Sequence, residues 1–234
     1  VENTSIADAG GTIILSFKVE AFLGDRRLLK MNTVFGYFKT EALANQQGLP
    51  AKEEERAALR EAGDFSVDLL SRPERYCGGD LRLAGPQLLM LDRISGYWPR
   101  GGAAGLGRAR GEKRARHGDW FFKAHFFQDP VQPGSLGLEA MLQLLQFYMI
   151  HNDMGAGIEN PRFEPLALRV PITWRYRGQV TPDNALIQTM LDITEAGRDE
   201  RGAYAVAKAT LWRDGLKIYE ASNIGMRIVS GDKL

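Results

Sequence analysis

The chain has 234 residues, 44% apolar and 25% charged, with a formal net charge of +1. That length and composition suit a globular protein able to bury a sizeable core, and the near-neutral balance excludes the broad basic footprint of a nucleic-acid binder. The single cysteine, Cys77, excludes an internal disulfide framework or a thiolate metal site.

The opening residues Val1-Glu2-Asn3-Thr4 show neither the basic nor the apolar region of a signal peptide. The longest apolar run, Leu136 to Ile150, is interrupted by Glu139, Gln143 and Gln146, which argues against a membrane span. A cytoplasmic protein with neither a membrane nor a nucleic acid as partner is expected.

In chain order, Thr12 to Val19 and Leu28 to Phe38 are rich in β-branched and apolar residues and predict two strands joined at Gly24-Asp25. A similar hairpin is expected near the other end, with Ala203 to Trp212 and Leu216 to Ile228 joined at Asp214-Gly215. Laid together, Lys18 falls on Lys208, Phe22 on Trp212 and Leu28 on Ile218. Either the two are a true repeat, in which case residues 1–50 are the tail of a preceding unit, or both are generic hairpins. The charged run Lys52 to Arg56 and the alanines after it predict a short helix ending at Gly63. Residues 51–82, with little periodicity and several Gly and Pro, are expected to form a linker, and the main domain to occupy residues 83–231.

Within that domain, Leu88 to Ile94 is expected as a strand. Gly107 to Arg116 is expected as an exposed strand, either a solvated edge or a basic surface for a carrier protein. Gly101 to Gly107 is glycine-rich without a phosphate-binding pattern and reads as a turn. Trp120 to Phe127 is expected as a strand, Ser135 to Ile150 as a helix apolar nearly all round and therefore interior, and Leu166 to Tyr176 and Ala185 to Ile193 as further strands. A sheet wrapped around one central helix accounts for this order.

Two residues stand out chemically. Glu139 lies in the apolar helix. If buried, it is expected to have a raised pKa and act as a proton donor; alternatively it reaches solvent at the helix start, where an acid suits the dipole. Gln143, one turn on, is placed to hold it. His125 lies among aromatics, either as a satisfied core histidine or as a general base. Gly134 and Ser135 fall at the helix start, where free N–H groups can hold a developing oxyanion. Base, acid and oxyanion donors together describe proton abstraction α to a carbonyl with loss of a β-hydroxyl. No HExxH zinc motif and no Gly-x-Ser-x-Gly elbow occurs.

The stretch His125-Phe126-Phe127-Gln128-Asp129-Pro130-Val131-Gln132-Pro133-Gly134-Ser135-Leu136-Gly137-Leu138-Glu139-Ala140-Met141 resembles the hot-dog-fold 3-hydroxyacyl-ACP dehydratases, most of all the 3-hydroxydecanoyl-ACP dehydratase/isomerase branch. Met90-Leu91-Asp92-Arg93, Gly178-Gln179-Val180 with Pro182, and Leu211-Trp212 with Asp214-Gly215 extend the likeness over residues 83–228. Residues 34–38 and 42–46 look like the end of a preceding unit in the tandem dehydratases of polyketide-synthase-like polyunsaturated fatty acid synthases.

The resemblance implies an α+β hot-dog fold, an antiparallel β-sheet around one long buried helix. It implies His125 as base, Glu139 as acid, the Gly134 N–H on the thioester carbonyl, and Ser135 lining the site. No cofactor is implied beyond the phosphopantetheine of acyl carrier protein, which is the expected partner. A homodimeric or tandem hot-dog partner is expected as well, since the family builds its site across two hot dogs. Two departures stand out: the isomerising branch usually has Asp at the position of Glu139, and Cys is common at that of Ser135. Dehydration is therefore the firmer expectation than isomerisation. A non-catalytic scaffold and a hot-dog thioesterase are the rival readings.

Overall fold

The computed structural model describes residues 1–9, 12–39, 41, 45–164 and 171–231. The chain divides into two compact units, Val1–Gln46 and Gln47–Leu234.

The first unit is a three-stranded antiparallel sheet of β1 (Glu2–Ala9), β2 (Thr12–Leu23) and β3 (Arg26–Tyr37) in that order. The hairpin expected at Gly24-Asp25 is present. β1 was not anticipated, because Glu-Asn-Thr-Ser-Ile-Ala-Asp-Ala carries no β-branched run and takes its conformation from pairing with β2.

In the second unit α1 (Glu53–Arg60), β4 (Val67–Asp68) and α2 (Glu74–Cys77) precede β5 (Arg93–Trp98) and β6 (Arg108–Arg114). Next come α3 (Trp120–Ala124) and the long helix α4 (Gly134–His151). Five strands complete it: β7 (Pro161–Glu164), β8 (Thr173–Tyr176), β9 (Leu186–Asp199), β10 (Gly202–Arg213) and β11 (Leu216–Ser230). The sheet order is β4-β5-β6-β9-β10-β11-β7, with β8 also on β11. α4 packs across β6, β9, β10 and β11. Its Met141, Leu144, Leu145, Phe147 and Met149 are sealed in one core with Leu191, Ala203, Ala205, Ala207, Ala209, Leu211 and Met226 of the sheet. This is the expected sheet around one buried helix.

Several expectations are corrected. Residues 51–82 are not a linker: Leu69 and Tyr76 are buried in the core around α4, and α1 lays Ala58 and Leu59 on Met190 and Trp212 in a separate cluster. Gly107 to Arg116 is not an exposed edge. β6 pairs with β5 on one side and β9 on the other, and three of its cations, Arg108, Arg110 and Lys113, are engaged by other parts of the unit. Arg110 is buried and donates to the carbonyl oxygens of Ala58, Leu59 and Glu61, closing the C-terminus of α1. Arg108 pairs with Asp192, and Lys113 and Arg116 with Asp92.

The strand expected over Leu88 to Ile94 starts only at Arg93, because Leu89 to Asp92 turn inward ahead of it. Trp120 to Phe127 is not a strand. Phe121 and Phe122 are both buried in the core, which consecutive residues of a strand, facing opposite sides, do not achieve on one face but a helical turn does. Residues 166–170 of the strand expected over Leu166 to Tyr176 lie outside the described residues, and Thr173–Tyr176 is a strand.

The two hairpins agree in detail. Thr12–Leu23 and Gly202–Arg213 have the same length, and both are followed by a two-residue turn. Near the turn, Leu29 pairs with Ala21 and Arg27 with Phe22, skipping Leu28. In the second unit Tyr219 pairs with Leu211 and Lys217 with Trp212, skipping Ile218. Between β1 and β2 the register steps over Thr4, and between β9 and β10 it steps over Thr194, the matching position. The registers part only beyond Val19 and Ala209, where β11 has a further irregularity near Asn223, whose φ is +58°. Bulges therefore fall at matched positions, one on each pairing of the two hairpins.

Candidate active site

His125 ends α3 in an extended conformation, with φ −150° and ψ 106°. Its N–H donates to the Phe121 carbonyl at 2.9 Å, and its carbonyl accepts from Val131 N–H at 2.8 Å. The ring is tied to the same loop end, with Nδ1 2.9 Å from the Val131 carbonyl oxygen. A carbonyl only accepts, so Nδ1 carries a proton, and in the neutral ring the lone pair lies on Nε2. The half-buried His125 is therefore held as the tautomer a general base needs. The loop end is itself anchored, Gln132 N–H donating to the Val180 carbonyl at 2.9 Å.

α4 starts at Gly134 after Pro133, which offers no side-chain acceptor. The first-turn N–H groups, Gly134's among them, thus have no side-chain cap. Ser135, Glu139 and Gln143 follow at four-residue spacing and share one helix face. Ser135 is exposed, Glu139 half-buried and Gln143 fully buried. Glu139 is thus neither sealed inside the chain nor fully out in solvent, between the two alternatives its sequence offered.

Gln143 is fixed by three bonds: Oε1 accepts from Met90 N–H at 2.8 Å, and Nε2 donates to the Leu88 carbonyl and to Glu139 Oε1, both at 2.8 Å. The Met90 donor settles which end of the amide is oxygen, so an N–H faces Glu139 by necessity. Oε1 of Glu139 is then occupied as an acceptor, and a proton on this carboxyl belongs on Oε2.

The structure brings Gly134, Ser135, Glu139 and Gln143 onto one stretch of helix, with His125 on the loop that leads into it. Among the described residues no hydrogen bond joins His125 to Glu139. Among the described residues no group of three or more His, Cys, Asp or Glu is placed to hold a metal ion, and no helix is long and apolar enough to cross a membrane.

An aromatic wall around the start of α4 escaped the sequence reading. A Cβ on Gly137 would collide with the Tyr219 ring, and one on Gly134 would lie 3.0 Å from that of Trp174 and 3.1 Å from that of Tyr176. Both glycines let the helix start lie against these rings. The Tyr219 hydroxyl is fully buried beside Tyr176, without a hydrogen bond of normal geometry among the described residues. Burial first, and the neighbouring Tyr176 next, push its pKa well above the usual phenol value. The signal in the sequence was Gly137, a glycine inside an apolar helix.

A family model described as a FabA-like domain matches residues 83–222, more than half of the chain. The chain belongs to the FabA-like family. Its hot-dog architecture is that of the family.

The FabA-like chain is 32% identical to one of the subunits of the polyunsaturated fatty acid synthase of Thraustochytrium sp. (strain ATCC 26185 / S-3), over 92% of its own length and 15% of that protein. It therefore spans only a small part of the relative. Among solved structures, the CurJ dehydratase, determined as an inactive mutant with a bound compound, aligns with a TM-score of 0.52 and 13% identity, over 96% of this chain and 67% of that one. The dehydratase heterocomplex ApeI:P from Xenorhabdus doucetiae aligns with a TM-score of 0.39 and 10% identity, over 64% of this chain and 88% of that one.

Proposed function

We propose that this domain dehydrates 3-hydroxyacyl thioesters carried on the phosphopantetheine of acyl carrier protein, giving trans-2-enoyl thioesters. The observation that carries the reading is the pinned imidazole: the Val131 carbonyl fixes His125 with Nε2 as the free base. Nε2 takes a proton from C2 of the substrate as the thioester carbonyl gains enolate character, held by the Gly134 N–H at the start of α4. A carboxyl oriented as Glu139 is by Gln143 delivers its Oε2 proton to the departing 3-hydroxyl, which leaves as water. Ser135 lines the same helix face. No cofactor takes part in this chemistry. With Glu rather than Asp at position 139, dehydration without isomerisation is the proposed outcome.

His125 and Glu139 work with partner groups across a pair of hot dogs rather than on each other. The matched bulges of the two hairpins favour a tandem partner, of which residues 1–46 are the closing strands, over a homodimer. The reading is tested by supplying a 3-hydroxyacyl thioester and identifying products by mass spectrometry. Enoyl thioester is expected, and its loss in His125→Ala and in Glu139→Gln. Free acid would make the protein a thioesterase; full activity in either variant would remove that residue from the mechanism.

A further inference from the structure

Trp120 begins α3, the helical turn that ends at His125, and the two phenylalanines after it are buried in the core. The Trp120 ring itself is 41% exposed, yet its indole N–H donates to the Gln87 carbonyl at 2.8 Å. Gln87 opens a short segment with two further ties. Leu88 and Met90 hold the two ends of the Gln143 amide, which in turn donates to Glu139. Asp92 accepts from the Arg116 guanidinium at 2.8 Å and from the Arg114 N–H at 3.0 Å. The Arg116 N–H donates to the carboxylate of Asp119, the residue before Trp120. The segment is stiff: the N–H groups of Leu88 and Leu89 both donate to the Gly85 carbonyl at 3.0 Å, and that of Asp92 to the Glu112 carbonyl at 2.7 Å. Leu89, Met90 and Leu91 between these ties are buried.

We propose that residues 87–92 are a strut that sets the base and the acid together, with Trp120 as the positioning residue at the base end. The proposal rests on the dehydratase reading for the roles of His125 and Glu139. Gln87 and Asp92 hold the start of α3 from two sides, and the middle of the segment holds the amide that orients Glu139. His125 and Glu139 share no hydrogen bond among the described residues, so a fixed relation between them has to come from what both are tied to. The loop at Val131 fixes the imidazole ring; the strut fixes the helical turn from which that ring projects.

Surface coverage does not account for an indole at position 120. A phenyl ring, half in solvent, would cover much the same area but bring no donor to the Gln87 carbonyl. Proton transfer needs its geometry in the transition state, so a loosened base costs turnover more than binding. Trp120→Phe should therefore lower kcat about 3- to 10-fold with KM within about twofold. Combined with Gln143→Leu it should lower kcat by less than the product of the two single effects, because both act through one segment.

Ring nitrogen signals of His125 by NMR at pH 8 test the strut without turnover. The chain has three histidines, and His125→Ala assigns the signal, leaving His117 and His151 as internal references. Both Trp120→Phe and Gln143→Leu should displace the His125 signals away from those of the Nδ1–H tautomer, although Gln143 makes no bond to that ring. Arg110→Met, which weakens the unit at the end of α1, should leave them in place. The proposal is overturned if either of the first two variants keeps the wild-type His125 signals, or if Arg110→Met displaces them as far. Wild-type kcat in Trp120→Phe would also overturn it. Absence of dehydration by the wild type, with the His125 signals displaced as expected, would instead overturn the dehydratase reading and uphold the strut.

Discussion

Replacing Gln143 by leucine tests the geometry around the candidate acid. The side chain is fully buried and makes three hydrogen bonds. Leucine keeps most of the volume but strands the Met90 N–H, itself buried, at about 1–3 kcal/mol. The bond to the Leu88 carbonyl adds about 1 kcal/mol, since that residue is exposed and water can replace the amide. A loss of about 2–4 kcal/mol in a unit of this size lowers Tm by roughly 5–15 °C.

Glu139 loses the donor that orients it, which should reduce kcat about 10- to 100-fold in variant still folded at 20 °C. Thermal melting by circular dichroism and turnover of a 3-hydroxyacyl thioester measure the two effects separately. Gln143→Glu sharpens the case. Its carboxyl can still accept from Met90 but faces the Leu88 carbonyl and Glu139 without a donor unless protonated, so this variant should melt higher at pH 5 than at pH 8, relative to wild type. A leucine variant that melts with the wild type and turns over at its rate would refute the reasoning.

Gly137→Ala puts a methyl group into the Tyr219 ring; it should cost about 1–3 kcal/mol, and Tyr219→Leu should recover much of that in a double-mutant cycle read by denaturant unfolding. Arg110→Met leaves the carbonyls of Ala58, Leu59 and Glu61 without their donor; about 2–4 kcal/mol of stability should be lost, and limited proteolysis should cut first within residues 53–63. His151, packed among Phe65, Tyr97 and Phe147, has its pKa lowered by burial and by Arg75. The unfolded chain then binds its proton first, so stability falls as pH drops below about 6.5, and His151→Phe should remove that part of the pH dependence. In Asp92, burial raises the pKa but hydrogen bonds from Arg116 and the Arg114 N–H, with the charge of Lys113, outweigh it and leave it lowered. Its contribution is present above the ordinary aspartate range and lost as pH falls through and below it, a window that the same pH titration of wild type and Asp92→Asn resolves from that of His151.

The parts legible in the sequence were those set by local pattern. The helix over residues 134–151 announced itself by length and apolarity, and both hairpins by their turn dipeptides. The pairing of Glu139 with Gln143 followed from helical spacing alone. What stayed hidden depends on partners distant in sequence. The cations of β6 read as solvent-facing because Asp92, Asp192 and the end of α1, which engage them, lie many residues away. Leu69 and Tyr76 sit among turns with no period, so nothing local marks them as core. The aromatic run at Trp120 has strand-forming residues, yet burial of two neighbours, Phe121 and Phe122, selects a helical turn. The pinned ring of His125 depends on a backbone carbonyl six residues on, which no side-chain pattern encodes.

The most direct test of the central claim is turnover by the chain, followed from both directions with a 3-hydroxyacyl and a trans-2-enoyl thioester. Interconversion of the two is predicted, with His125→Ala reducing kcat/KM by about 10²–10⁴ while the melting temperature stays near that of the wild type. Wild-type rates in His125→Ala, or release of free acid in place of the enoyl thioester, would contradict it.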